Sequence, residues 1–160
     1  MGWLDTLDRA LGRLIAAGRW LVLPVALVLF LQWPLRDFVQ AYSREANDLG
    51  QWVFALYVSL AVTFATRERA HLAVDAIAHG YPPRLRGAIL RWGTFACVAP
   101  WALFMAWTVG PTAWRSLLQL EKFPDTLNPG YFVIKLAAVL LAVLALLQTL
   151  LDVLRAPRTP

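Results

Sequence analysis

Residues 131–151 read YFVIKLAAVLLAVLALLQTLL, and from Leu136 to Leu151 no residue carries a charge. At 1.5 Å of rise per residue the segment measures about 30 Å, the thickness of a bilayer's hydrocarbon core. This leucine-rich run is the least ambiguous membrane-spanning helix in the chain. The residues before it fit a helix start. Asn128 is a strong N-cap, and Pro129 at the first helical position forfeits no hydrogen bond.

Three further apolar stretches, at about 20–35, 49–66 and 93–118, complete a set of four. Trp20 and Trp33 sit near the ends of the first, where indole rings favour the headgroup layer, and Pro24 and Pro34 are candidate kinks. The second opens at Asp48, which is placed to act as its N-cap. Its polar members, Gln51 and Ser59, are of a kind that faces protein rather than lipid. The third holds Pro100 and Pro111. Its helical pattern runs from Arg84 to Leu120, too long for one perpendicular crossing, so tilt, bending or projection beyond the bilayer is required. Composition agrees. The chain has 160 residues, 59% hydrophobic and 16% charged, with a mean hydropathy of +0.56, whereas soluble domains carry about 25% charged residues.

Two amphipathic pieces flank these spans. Within WLDTLDRALGRLI, residues 3–15, Trp3, Leu7, Leu11, Leu14 and Ile15 share one helical face, and Asp5, Asp8, Arg9 and Arg13 lie away from it. This is the pattern of a helix lying in the membrane interface, over about residues 1–17. A second short interfacial helix is expected at 71–79. Gly80 ends it, and Pro82-Pro83 suits the start of the next helix. Ten of the fifteen Lys and Arg fall on one side: Arg9, Arg13 and Arg19, then Arg67, Arg69, Arg84, Arg86 and Arg91, then Arg155 and Arg158. That side is cytoplasmic by the positive-inside rule. The fold class is therefore all-α: a single membrane domain over 1–160, with four transmembrane helices, both termini cytoplasmic and two interfacial helices.

Several functions lose their footing. The net charge of +5 reports orientation, and no basic cluster interleaved with aromatics points to nucleic acid. Cys97 is the lone cysteine, inside an apolar run, where a thiol acts as a small hydrophobe. His71 and His79 both lie outside the spans, so a haem between helices would lack ligands. No nucleophile–base pair, phosphate-cradling loop or metal-ligand motif is present. Neither a cofactor nor an enzymatic activity is expected.

The polar residues at the span ends remain. Arg67, His71 and Asp75 are spaced i, i+4, i+8. They are either a contact with a partner subunit or a local charge cluster capping the second span. Glu45, Asp48, Glu121 and Asp125 face outward. Lys135, the one charge early in the fourth span, either snorkels toward the headgroups or pairs with Glu45, Asp48 or Glu121. The stretch from Glu121 to Gly130, EKFPDTLNPG, holds two prolines, an Asn and a Gly, the makings of a rigid, shaped loop. Such a loop suits docking, or serves as a tight helix–helix connection.

These residues also carry a resemblance. Four helices with both ends inside, Glu45-Ala46-Asn47-Asp48 opening the second helix, Arg67-Glu68-Arg69-Ala70-His71-Leu72-Ala73-Val74-Asp75 after it, and Glu121-Lys122-Phe123-Pro124-Asp125-Thr126 with Asn128-Pro129-Gly130-Tyr131-Phe132 before the last helix occur in that order. Over roughly residues 20–150 the chain resembles the small membrane subunit of tripartite ATP-independent periplasmic (TRAP) transporters, the DctQ-like small permease. The R-x-x-x-H-x-x-V-D stretch is the most specific element. The family often has a second acidic residue in the outer part of the second helix, where this chain has Asn47-Asp48-Leu49-Gly50-Gln51.

The resemblance implies a non-catalytic scaffold in the bacterial inner membrane. Its partners would be a large multi-helix permease subunit, which carries the sodium and substrate sites and moves as an elevator, a periplasmic substrate-binding protein that delivers an organic acid, and membrane lipid. Arg67, His71 and Asp75 are then the inner contact candidates, and Glu45, Asp48, Glu121 and Asp125 the outer ones, with Lys135 beside them. The alternatives are a membrane anchor or assembly subunit of a redox or signalling complex, and a self-sufficient small exporter.

Overall fold

The computed structural model describes residues 2–38, 44–68 and 81–155. They form five α-helices: α1 (Gly2–Gly18), α2 (Val22–Asp37), α3 (Arg44–Arg67), α4 (Pro83–Leu118) and α5 (Tyr131–Leu154), with a 3-10 turn at Arg19–Leu21 joining the first two. Four helical stretches are long and apolar enough to cross a membrane, the first taking α1 and α2 together as Gly2–Pro34. The chain is a multi-pass membrane protein. The interfacial segment expected at 71–79, with Gly80, His71 and Asp75, lies outside the described residues.

Glycines set the packing of the first three helices. Gly12 lies against the Arg67 guanidinium, Gly18 against the Leu60 side chain, and Gly50 against Val28. Positions rising along α1 and α2 thus meet positions falling along α3, so the two run antiparallel. A methyl group on Gly18 would overlap Leu60, so the missing side chain is what lets the helices approach there. Of the apolar face foreseen for α1, Leu11 and Ile15 join Leu60, Leu144 and Leu151 in the buried core cluster, whereas Trp3, Leu7 and Leu14 are exposed. Asp8 departs from its expected place away from that face. It is 8% exposed, because two arginines from other helices meet it there.

The centre of the bundle is α5, which packs on both α3 and α4. Every buried described position of α4 is small: Ala99, Ala102, Ala113 and Ser116, all on one face. On α5, Ala137, Ala142 and Ala145 are buried likewise. Small side chains bring backbones close, the usual basis of helix association where lipid removes the hydrophobic drive. The Ser59 hydroxyl lies 2.7 Å from the Ala137 carbonyl oxygen and joins α3 to α5. The large side chains of α4, including Trp92, Trp101, Phe104, Trp107 and Trp114, point outward, and Cys97 is exposed with them rather than buried. Pro100 and Pro111 sit within α4 without ending it. Its 36 residues measure about 54 Å, so the helix overruns the bilayer core, as its length required.

Two helix starts differ from expectation. α3 begins by Arg44, so Asp48 lies one turn inside it and is not its N-cap. α5 begins at Tyr131 with Gly130 as the capping residue and no side-chain cap. Asn128 and Pro129 belong instead to the preceding loop, where Lys122 and Pro129 form an isolated antiparallel bridge. Turning the chain from that bridge into α5 takes the positive φ of Gly130, 142°, which side-chain-bearing residues avoid. A side chain there would also overlap the Trp52 indole.

Candidate functional site

Polar chemistry collects at the two ends of the bundle. The end formed by the start of α3, the end of α4 and the start of α5 carries the loop 119–130, which is tied into a fixed shape. The Phe123 N–H donates to the Asn128 carbonyl at 2.8 Å, and the Leu127 N–H donates to the Phe123 carbonyl at 3.0 Å. The N–H groups of Gly130 and Tyr131 both donate to the Glu121 carbonyl at 3.0 Å. Phe123 is 3% exposed. Its ring lies 6.1 Å from Trp52 and meets Tyr131 edge-on at 5.5 Å, so one aromatic residue plugs the loop onto α3 and α5.

Side chains lock the same loop from both flanks. Lys135 Nζ stands 2.5 Å from Glu121 Oε2 and 5.2 Å from the centre of the Tyr131 ring. The same Glu121 oxygen accepts from the Ser116 hydroxyl. The hydrogen bond from Lys135 and the one from Ser116 hold the Glu121 carboxyl below the usual carboxylate range, against a smaller opposing effect of burial. On the other flank the Thr126 hydroxyl donates to Asp48 Oδ2 at 2.5 Å and accepts from the Asn128 N–H at 3.3 Å. Asp48 is 6% exposed. Leu120 and Leu127 adopt the left-handed conformation, φ 44° and 57°, which costs an L-residue about 1–2 kcal/mol. Both leucines are exposed, and so is Asp125. The loop therefore spends its buried polar groups on its own shape and turns two strained leucines and a carboxylate outward.

At the opposite end a carboxylate from α1 joins three helices. Arg67 grips Asp8 with two nitrogens, at 2.9 Å and 3.1 Å. Arg155 Nη1 lies 2.6 Å from Asp8 Oδ2, an oxygen it shares with Arg67. Arg155 also donates to the Leu4 carbonyl at 3.1 Å, while its own carbonyl accepts from Arg91 of α4 at 3.2 Å. Two-point arginine contacts on a largely buried carboxylate fix direction as well as distance. This cluster staples the N-terminal helix to the ends of α3 and α5.

Of the residues singled out in the sequence, Glu121 and Lys135 come together, which resolves the lysine in favour of pairing. Asp48 is buried in the loop's anchorage. Asp125 stands exposed at the loop tip, and Glu45 is exposed in the first turn of α3. Arg67 meets Asp8, while His71 and Asp75 lie outside the described residues. Sequence reasoning missed Asp8, Arg155, Ser116, Trp52 and Phe123 as members of these clusters. For Asp8 a signal existed, since Gly12 follows it by one helical turn and leaves room for a long side chain.

A family model described as "Tripartite ATP-independent periplasmic transporters, DctQ component" matches residues 20–159. No curated protein and no solved structure matches the chain.

Proposed function

The chain belongs to the DctQ family, the small membrane component of TRAP transporters, and from that premise we propose that it braces a sodium-coupled importer of organic acids and helps its binding protein dock. The family is a transporter component rather than an enzyme, and it works with a large permease and a periplasmic binding protein. In this reading the protein sits in the bacterial inner membrane with both termini cytoplasmic, so the loop 119–130 faces the periplasm. The family match leaves the anchor of a redox or signalling complex without support.

A brace needs an interior committed to its own packing. The buried Ser59 hydroxyl bonds a carbonyl of α5, and those of Thr63, Thr66 and Thr149 bond carbonyls one turn back in their own helices, which engages them with backbone rather than with a solute. The observation that carries the docking role is the loop 119–130. It is rigidly held, yet Leu120, Leu127 and Asp125 are left outward. Exposed charge at an interface rim mainly tunes encounter with a partner.

The test follows from which acids are free to act. Glu121 and Asp48 hold the loop, so their replacement would damage its shape. Asp125→Lys and Leu127→Ser change only its outer surface. In proteoliposomes holding the small and large subunits, both variants are expected to raise the binding-protein concentration needed for half-maximal uptake several-fold, with uptake at saturating binding protein unchanged. Equal loss at every concentration would count against docking at this loop.

A further inference from the structure

We propose that the outward face of α4 is the surface on which a spanning helix of the large permease subunit packs, a helix that brings hydrogen-bonding side chains to mid-membrane depth. This rests on the small-permease role proposed above and assigns that role to one face. α4 stands at one edge of the bundle, with α5 as its main described neighbour, and α2 stands at the other edge beside α3. Both edges are apolar and exposed, but only one of them suits acyl chains.

α2 exposes Leu23, Leu27, Leu29 and Phe30, side chains for which hydrocarbon is a sufficient neighbour. Its prolines, Pro24 and Pro34, fall in its first and last turns. α4 differs in two respects. Pro100 and Pro111 lie well inside it. Neither has an N–H, so the carbonyls of Ala96 and Trp107, four residues earlier, lose their helical partners. All four of these residues are exposed, so the freed carbonyls lie on the outward side. The second difference is in the tryptophans. Trp101 and Trp107 lie about 15 Å and 24 Å along the helix from Arg91, with Arg115 about 12 Å beyond Trp107. That depth is hydrocarbon, whereas indoles settle in the headgroup layer. Trp107 is 83% exposed, and among the described residues no group bonds the indole N–H of either tryptophan. Acyl chains offer no donor to the carbonyls and no acceptor to the indoles, and no water reaches this depth to replace them. A neighbouring helix with Ser, Thr, Asn or Gln side chains offers both.

The small and large subunits are produced together in bacterial membranes with a photo-crosslinking residue at position 107 or position 27. Position 107 is expected to label the large subunit and position 27 to label lipid. Trp101→Leu with Trp107→Leu keeps the face apolar and removes both indole donors. It is expected to raise the apparent Kd between the detergent-solubilised subunits roughly threefold to tenfold for each hydrogen bond lost, whereas Phe30→Leu leaves it unchanged. If the large subunit co-purifies but position 107 labels only lipid or a second copy of this chain, the assignment of α4 is overturned and the small-permease role stands. An unchanged Kd in the double variant overturns the polar match on which the assignment depends. If no large subunit co-purifies with the unaltered chain, the proposed function itself fails, and this surface with it.

Discussion

Glu121 shows how one carboxylate can hold a loop. It receives Lys135 and Ser116 on a single oxygen, and its carboxyl is held below its usual value of 4.5. A group whose folded value is depressed adds stability that is fully present above its unfolded value and is lost as pH falls through the folded one. The loop is therefore expected to stay equally firm from neutral pH down to the ordinary carboxylate range, and to loosen below it. Glu121→Gln should flatten that acid-side loss while lowering firmness at neutral pH. Hydrogen exchange of the Gly130 and Tyr131 amides, both bonded to the Glu121 carbonyl, reads this directly. An unchanged acid profile in the variant would remove Glu121 from the account. Lys135 carries the complementary lesson: a lysine near the end of a spanning helix need not reach for water when a carboxylate is already ordered beside it.

Among the elements, α1 depends most on one side chain. Its apolar residues Leu11 and Ile15 pack into the core, but its direction is set where Asp8 meets Arg67 and Arg155. Only 12% of the Asp8 side chain is exposed, so solvent screens these pairs less than surface pairs. Asp8→Ala would leave two guanidiniums facing each other without the carboxylate between them. The expected result is a fall in amide protection across α1 equivalent to roughly 2 kcal/mol, with protection in α4 and the first half of α3 unchanged. Retained protection in α1 would show that apolar burial alone docks the helix. The contrast with α4 is instructive. That helix is held to α5 by a face of small residues, so its attachment is spread over many contacts and no single polar group governs it.

At the scale of the whole molecule, the two ends are built for different work. One end concentrates arginine: Arg67, Arg91 and Arg155 are all engaged with neighbouring helices there. The other ends in a compact loop with exposed leucines and an exposed carboxylate. The α1–α2 run is antiparallel to α3, and α1 meets the ends of α3 and α5, so the N-terminal helix and the last turn of α5 share a side. By the positive-inside rule that side is expected to be cytoplasmic. Single cysteines in a Cys97→Ser background test this. A cysteine at Leu127 should react with a membrane-impermeant maleimide added to intact cells, and one at Arg13 should react only after the membrane is opened. The reverse pattern would invert the topology and remove the loop from reach of a periplasmic partner.

The sequence by itself determined the four apolar spans and the membrane setting, because hydropathy is summed over a local segment and a span needs only enough consecutive apolar residues, and its loop motifs carried the family resemblance. The shaped loop at 121–130 was legible too, since proline, asparagine and glycine restrict backbone wherever they occur. Only the tertiary structure decided what each polar residue does. Asp48 read as a helix cap until Thr126, far along the chain, came to its side. Asp8 read as a solvated charge until Arg67 and Arg155 closed on it. Asn128 read as a cap until the loop bridge claimed its carbonyl and passed the helix start to Gly130. Burial and ion pairing are set by helix packing between distant segments, and no local pattern encodes which distant segment will arrive.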